Sequence, residues 1–136
     1  MTIRKTGLED LLQYVDVLLP KAREATRITG TDDPELAIQQ LARMVPLVVV
    51  KLGHEGALAQ RGKERFISPS LTVTAVDAAG AGDSFDAGFL HQYLQGADLP
   101  TCLANGNRAG ALSVTRPGGT EAFRDKNYRE RFWKEN

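Results

Sequence analysis

A layered α/β fold with a partly parallel sheet is what this sequence predicts, on three observations. Strand-like and helix-like segments alternate along the chain, the order that builds parallel strand pairs through helical crossovers. One segment, "PLVVVKLG" at 46–53, is a continuous β-branched run of the kind buried on both faces of a sheet. A lean, glycine-rich stretch, "VDAAGAGDSFDAGFL" at 76–90, then runs straight into an amphipathic pattern.

The elements follow in order. "GLEDLLQY" reads as a short helix, and "VDVLLP" as a buried strand stopped by Pro20. A helix from about Lys21 to Ile28 ends near Gly30, where a C-terminal glycine belongs. "TDDPELAIQQLARMV" carries acidic cap candidates and Pro34 in its first turn, with Leu36, Leu41, Met44 and Val45 as apolar positions. After the β-branched run, "GALAQRGKERFIS" and "LTVTAV" read as short strands separated by turn residues. The helix behind the glycine loop continues through Phe85, Phe89, Leu90, Tyr93 and Leu94 and breaks at Gly96. "LPTCLANGNRAGALSVT" is a last long helix, with enough glycine to pack closely on a neighbour, and "KNYRERFWKEN" is a final amphipathic one. The strands are few for an open doubly wound sheet, so the chain reads as a piece of something larger.

A length of 136 residues suits a single domain, 1–136, with one real core. Seventeen basic and seventeen acidic side chains cancel, which argues against a nucleic-acid partner. The lone Cys102 excludes an intrachain disulfide, and with only His54 and His91 beside it no zinc site can be built. "MTIRKTGLEDLLQYV" has acids inside its apolar stretch and lacks the core of a signal peptide. "VPLVVV" is too short to span a bilayer. A soluble, cytoplasmic chain with no membrane partner is the expectation.

The glycine loop carries the chemistry. First-turn amides of a helix lack intrahelical acceptors and sit in partial positive charge. Ala79, Gly80, Ala81 and Gly82 let such amides approach an anion without side-chain obstruction, which is how backbone binds phosphate. Asp83, at the helix entrance, could take a proton from a hydroxyl attacking a phosphoryl group. A plainer reading fits the same residues: a tight turn whose acid merely caps the helix. Two other phosphate loops are excluded. No Gly-Lys-Ser/Thr ending occurs, and Phe85 stands where a dinucleotide fingerprint needs its third glycine.

The stretch 76–90 resembles the second signature of the PfkB (ribokinase-type) carbohydrate kinases, Asp-Thr-x-Gly-Ala-Gly-Asp followed by a helix. Supporting segments come in the family's order. "DVLLPKAREATRITG" is similar to its strand and Asn-x-x-Glu helix, "VVVKLGHEGALA" to its strand and nucleotide-side glycine turn, and "ANGNRAGALSVTRPGGTEA" to its late helix and loop. The resemblance implies a ribokinase-like layered sheet with helices on both faces, and ATP-dependent phosphoryl transfer to a sugar hydroxyl. It places the catalytic base on Asp83 and the anion hole on the backbone of Ala79, Gly80, Ala81 and Gly82. The turn bordering ATP falls on Lys51, Gly53 and Gly56, the adenine-side helix on Asn105, and the magnesium-associated glutamate on Glu24. A monovalent cation such as K⁺ would use Asp77 and backbone near 116–119. Each of these has a plain structural alternative: Glu24 as a solvated helix residue, Lys51 as a snorkelling strand end, Asp77 as a turn acid, Asn105 as a cap or packing residue.

Three departures stand out. Lys21 replaces the Asn before Glu24, substituting a cation able to meet phosphate directly for a water-mediated magnesium contact. Ala78 replaces the Thr after Asp77 and removes a hydroxyl from the loop. Finally, the match covers only the C-terminal half of the family pattern. The portion supplying sugar contacts and the β-sheet lid is expected to be absent, as in a truncated product. The alternative expectation is a nucleotide-binding remnant without turnover, whose uncovered apolar surface would favour a homodimer.

Overall fold

The computed structural model describes residues 7–136; the opening residues on which the leader reading partly rested lie outside this range. Backbone contacts gather into two compact units. The first takes the described residues up to Gly53 together with Ala57–Ile67, and the second takes His54–Gly56 and Ser68–Asn136.

The first unit contains α1 (Leu8–Leu12), β1 (Val17–Leu18), α2 (Ala22–Thr29), α3 (Pro34–Leu41), β2 (Leu47–Lys51), β3 (Ala57–Arg61) and all of β4 (Glu64–Ser68) but its last residue, Ser68, which falls in the second unit. The strands form one sheet in the order β1-β2-β3-β4. β1 and β2 are parallel, Val17 beside Leu47, joined by the crossover through α2 and α3. β2 and β3 are antiparallel, Val49 beside Ala59. Only Gly62 and Lys63 separate β3 from β4, a connection that geometry restricts to a hairpin, and Gly62 supplies the positive φ of 60° that such turns demand. The sheet is therefore mixed. As the β-branched run implies, Leu47 to Val50 are all buried. Val48 and Val50 join Leu12, Ala25, Ala37, Ile38, Leu41, Val45 and Leu58 in the core of this unit.

Local signals set the helix ends. Gly30 closes α2 in the left-handed conformation, φ 73°, donating to the Thr26 carbonyl at 2.9 Å. Asp33 caps α3, its Oδ1 accepting the Glu35 N–H at 3.0 Å, with Pro34 in the first turn. α3 stops at Leu41 and does not run on to Val45. Met44 and Val45 both donate to the Leu41 carbonyl in a tightened turn, because the residue before Pro46 is driven out of helical geometry.

The second unit is built on α4 (Ala81–Leu94) and α5 (Leu99–Val114), followed by α6 (Glu121–Arg124) and α7 (Lys126–Glu135). Asp98 caps α5 by accepting the Thr101 N–H at 2.8 Å, and Asp125 caps α7 through Tyr128 N–H at 3.0 Å. Glycine sets the spacing of α4 and α5. A methyl on Gly88 would sit 2.8 Å from both the Ala109 Cβ and the Asn105 carbonyl, and one on Gly106 would sit 2.8 Å from the Phe85 ring. Phe85 and Phe89 fill the seam, with ring centroids 6.2 Å apart.

"LTVTAV" is not a strand. Its period-two pattern survives as alternating burial: Leu71 and Val73 pack on Ala111, Leu112, Ala122 and Phe132, while Thr72 and Thr74 are exposed. Alternation reports which side is covered. Here helices cover that side, and no neighbouring strand pairs with the segment among the described residues. The four-residue α6 was not anticipated, being too short to show a helical period.

Candidate functional site

In the second unit, the glycine loop is a bend fastened at both ends. Val76 N–H and Asp77 N–H both reach the Val114 carbonyl at the end of α5, at 2.7 and 3.2 Å. Asp77 then uses its two carboxylate oxygens on two segments. Oδ1 accepts from Ala79 N–H, and Oδ2 accepts from Gly118 N–H across the late loop, each at 2.9 Å. These bonds favour the ionised form, so the Asp77 pKa lies below the usual carboxylate value, with the Ala79 N–H as the larger cause. Gly80 sits at φ +76°, where a Cβ is strained, and a Cβ there would also lie 2.9 Å from the Gly119 Cα. Backbone thus crosses backbone at this point, the nearest atoms to that Cβ all belonging to the Gly119 main chain. The buried Ser113 hydroxyl lies beneath, near the Ala79 and Gly119 carbonyls at 3.5 and 3.4 Å.

Gly80 is the N-cap of α4 and offers no side-chain cap. Ser84 N–H closes the first turn onto the Gly80 carbonyl at 2.9 Å. The amides of Gly82 and Asp83 precede that bond, where helical geometry provides no acceptor. Ala78 and Ala79 present exposed methyls, Ala81 and Gly82 are half-buried, and Asp83 is exposed in the first turn. The arrangement can direct main-chain hydrogens and a helix dipole at an anion, with one carboxylate beside it.

Two further expected residues lie in this unit. Asn105 is buried at 8% exposure and donates Nδ2 to the Gly88 carbonyl at 2.7 Å, so the structure gives it a packing duty in the α4–α5 seam. Gly56, at φ +102°, lies where any side chain would collide with the Ser68 carbonyl and come within 2.8 Å of the Pro69 Cα. Sequence reasoning missed Asn107. Its Nδ2 reaches the Ser68 carbonyl, the Ser68 Oγ and the Pro69 carbonyl at 3.0–3.1 Å, holding the segment that Gly56 lets pass. Nothing local in "ANGNRAG" signals this contact, because its partners lie 38 and 39 residues away in the chain.

The first unit carries the remaining candidates. Lys21 and Lys51 pair as a parallel bridge, Lys51 N–H donating to the Pro20 carbonyl at 2.9 Å. Both lysines therefore stand at the carboxyl ends of parallel strands, the edge at which open α/β sheets take ligands. Glu24 accepts the Lys21 N–H through Oε1 at 2.8 Å. This is half of a capping box, since lysine has no side-chain acceptor to complete it. Gly53 is exposed at φ +62° and opens a single 3₁₀ turn, Gly53–Glu55. Among the described residues no three His, Cys, Asp or Glu side chains gather to hold a metal.

Comparison with known proteins decides what this arrangement belongs to. The family model of the pfkB family carbohydrate kinases matches residues 2–126. The chain belongs to this family. Within the pfkB family, 2-dehydro-3-deoxygluconokinase of Bacillus subtilis is 34% identical over 118 residues, covering 85% of this chain and 36% of the relative. Arabidopsis thaliana ribokinase, solved with ribose and ATP, superposes with TM-score 0.82 at 27% identity over 93% of this chain and 43% of that one. A double mutant of Vibrio cholerae fructokinase, solved with fructose, ADP and potassium, gives TM-score 0.80 at 28% identity over 95% and 45%. The fold is thus ribokinase-like α/β, as the signature implied. The chain spans less than half the length of the curated pfkB relatives it matches. No described helix is long and apolar enough to cross a membrane.

Proposed function

We propose that this chain supplies the nucleotide side of a kinase that transfers the terminal phosphoryl group of ATP to a sugar hydroxyl. The observation that carries the reading is the start of α4, which has no side-chain cap: Gly80 in a left-handed bend, the first-turn amides of Gly82 and Asp83, and an exposed carboxylate at Asp83, while the Ala81 N–H turns back to the Ala78 carbonyl at 3.3 Å. Small residues and an unspent helix dipole suit a polyphosphate and offer little to an apolar ligand.

In this reading the Ala79 to Gly82 backbone holds the negative charge that builds on the transferring phosphoryl group. Asp83 accepts the proton of the attacking hydroxyl. Asp77 keeps the bend in shape by bonding Ala79 and Gly118. Gly53 and Gly56 border the nucleotide through backbone, and Asn105 supports the helix that lines its adenine side. Lys21 and Lys51 supply positive charge for its phosphates. ATP, when bound, contributes the phosphoryl group and carries most of the ligands for Mg²⁺. Magnesium is suited to phosphate oxygens and one or two carboxylates. Glu24 is the carboxylate that would assist it. The monovalent cation is the finest part of the reading. Asp77 already accepts an N–H on each oxygen, so only its remaining lone pairs and nearby carbonyls are left to hold K⁺.

A second reading has its own observation. The chain matches about 26–46% of the length of these curated relatives, so by itself it would bind nucleotide without turning it over. Titration calorimetry with ATP and magnesium, beside a kinase assay over ribose, fructose and 2-dehydro-3-deoxygluconate, separates the two. Binding with turnover supports the kinase and binding alone supports the remnant; absence of both removes nucleotide chemistry from this chain. In the form of the protein that shows turnover, Asp83→Asn should lower kcat by at least about a hundredfold and leave ATP affinity unchanged. Near-native turnover in that variant would exclude Asp83 as the base.

A further inference from the structure

A continuous path of contacts runs from helix α7 to the glycine bend. Tyr128, in its first turn, donates its hydroxyl to Thr115 Oγ1 at 2.8 Å, and Thr115 Oγ1 donates to the Leu112 carbonyl at 2.7 Å. The Arg116 guanidinium lies over the Tyr128 ring at 4.0 Å and also meets Asp125, the α7 cap, at 3.7 Å. Arg129 ties the same turn back to the Phe123 carbonyl at 2.7 Å. Residues 115 and 116 are therefore gripped by α7. Two residues later Gly118 donates its N–H to Asp77 Oδ2, and Gly119 packs its Cα against Gly80. The hydrogen bonds in this path are 2.7–2.9 Å long, and the last two contacts fix the bend that opens α4.

We propose that Tyr128 and Arg116 are positioning residues: α7 braces the 115–119 loop, and through Gly118 and Asp77 that loop holds the Ala79 to Gly82 backbone in its anion-accepting shape. The part concerning anions rests on the function proposed above; the brace itself does not. A cation stacked on an aromatic ring is attracted to it, and the exposed ion pair beside it adds little, so the ring contact is the stronger of the two that Arg116 makes with this end of α7.

The test uses this chain in two variants and one control. Tyr128→Phe removes the hydroxyl bond and keeps the ring beneath Arg116. Arg116→Leu removes the stacking and the ion pair. Glu130→Ala is the control, because it removes the exposed Lys126–Glu130 pair on α7, 3.9 Å, and leaves the Tyr128 and Arg116 contacts in place. Amide hydrogen exchange should quicken roughly three- to tenfold at Gly118 and Ala79 in Arg116→Leu, and less in Tyr128→Phe, while amides at the centre of α5 stay unchanged. The control should leave Gly118 and Ala79 as they are. Affinity for ATP with magnesium should fall by a similar factor in Arg116→Leu. Unchanged exchange at Gly118 and Ala79 overturns the brace, as does a uniform rise across α5, which would mark simple loss of stability. Faster exchange at those two amides, with no nucleotide binding even by the native chain, upholds the brace and overturns its role in phosphate binding.

Discussion

Asp77 shows how one side chain serves two segments. Its carboxylate is held ionised by the N–H groups of Ala79 and Gly118, so its folded-state pKa lies below the ordinary value near 3.8. A depressed carboxylate stabilises the fold fully above its unfolded-state pKa, and that contribution disappears as pH falls through the folded value. Asp77→Asn should therefore be less stable than the native chain near neutrality. The gap should narrow as pH falls through and below the ordinary carboxylate value near 3.8, read by urea unfolding at a series of pH values. A constant gap would mean that the charge of Asp77 is irrelevant and only its shape counts. Asp98, whose pKa is lowered in the same sense by the Thr101 side chain and N–H, remains in both proteins and does not alter the difference.

At the scale of elements, the α4–α5 seam is set by what glycine omits. Gly88→Ala would place a methyl 2.8 Å from the Ala109 Cβ and from the Asn105 carbonyl, and neither can move without shifting a helix. The substitution gains helix propensity yet should cost about 1–3 kcal/mol net through overpacking, checked by denaturant unfolding. A neutral or stabilised variant would show the helices free to separate. This seam was legible in advance only as a tendency: the glycines in "LPTCLANGNRAGALSVT" implied close packing, but not that Phe85 and Gly88 would be the partners. Helix ends at Gly30, Asp33 and Pro34 were readable because capping is local chemistry. "LTVTAV" misled because alternation encodes a covered face and says nothing of whether a strand or a helix covers it.

For the whole molecule, the signature at 76–90 was legible because its constraints are backbone constraints, and those leave glycine and alanine where other residues would obstruct. Less visible were the supports: Asn107 and Ser113 act from buried positions across more than 30 residues, and Tyr128 reaches Thr115 across 13, with no local pattern to announce them. Lys51, Gly53 and Glu24 belong to one compact unit and the glycine bend to the other, so sequence order alone could say what each might contact but not how. The account's central claim is that main-chain amides at the start of α4 receive the phosphates of ATP. Amide chemical-shift mapping with ATP and magnesium tests it most directly. The largest shifts are expected at Ala79 to Asp83, with smaller ones at Gly118 and Gly119; shifts that avoid these residues while ATP binds elsewhere on the chain would contradict it.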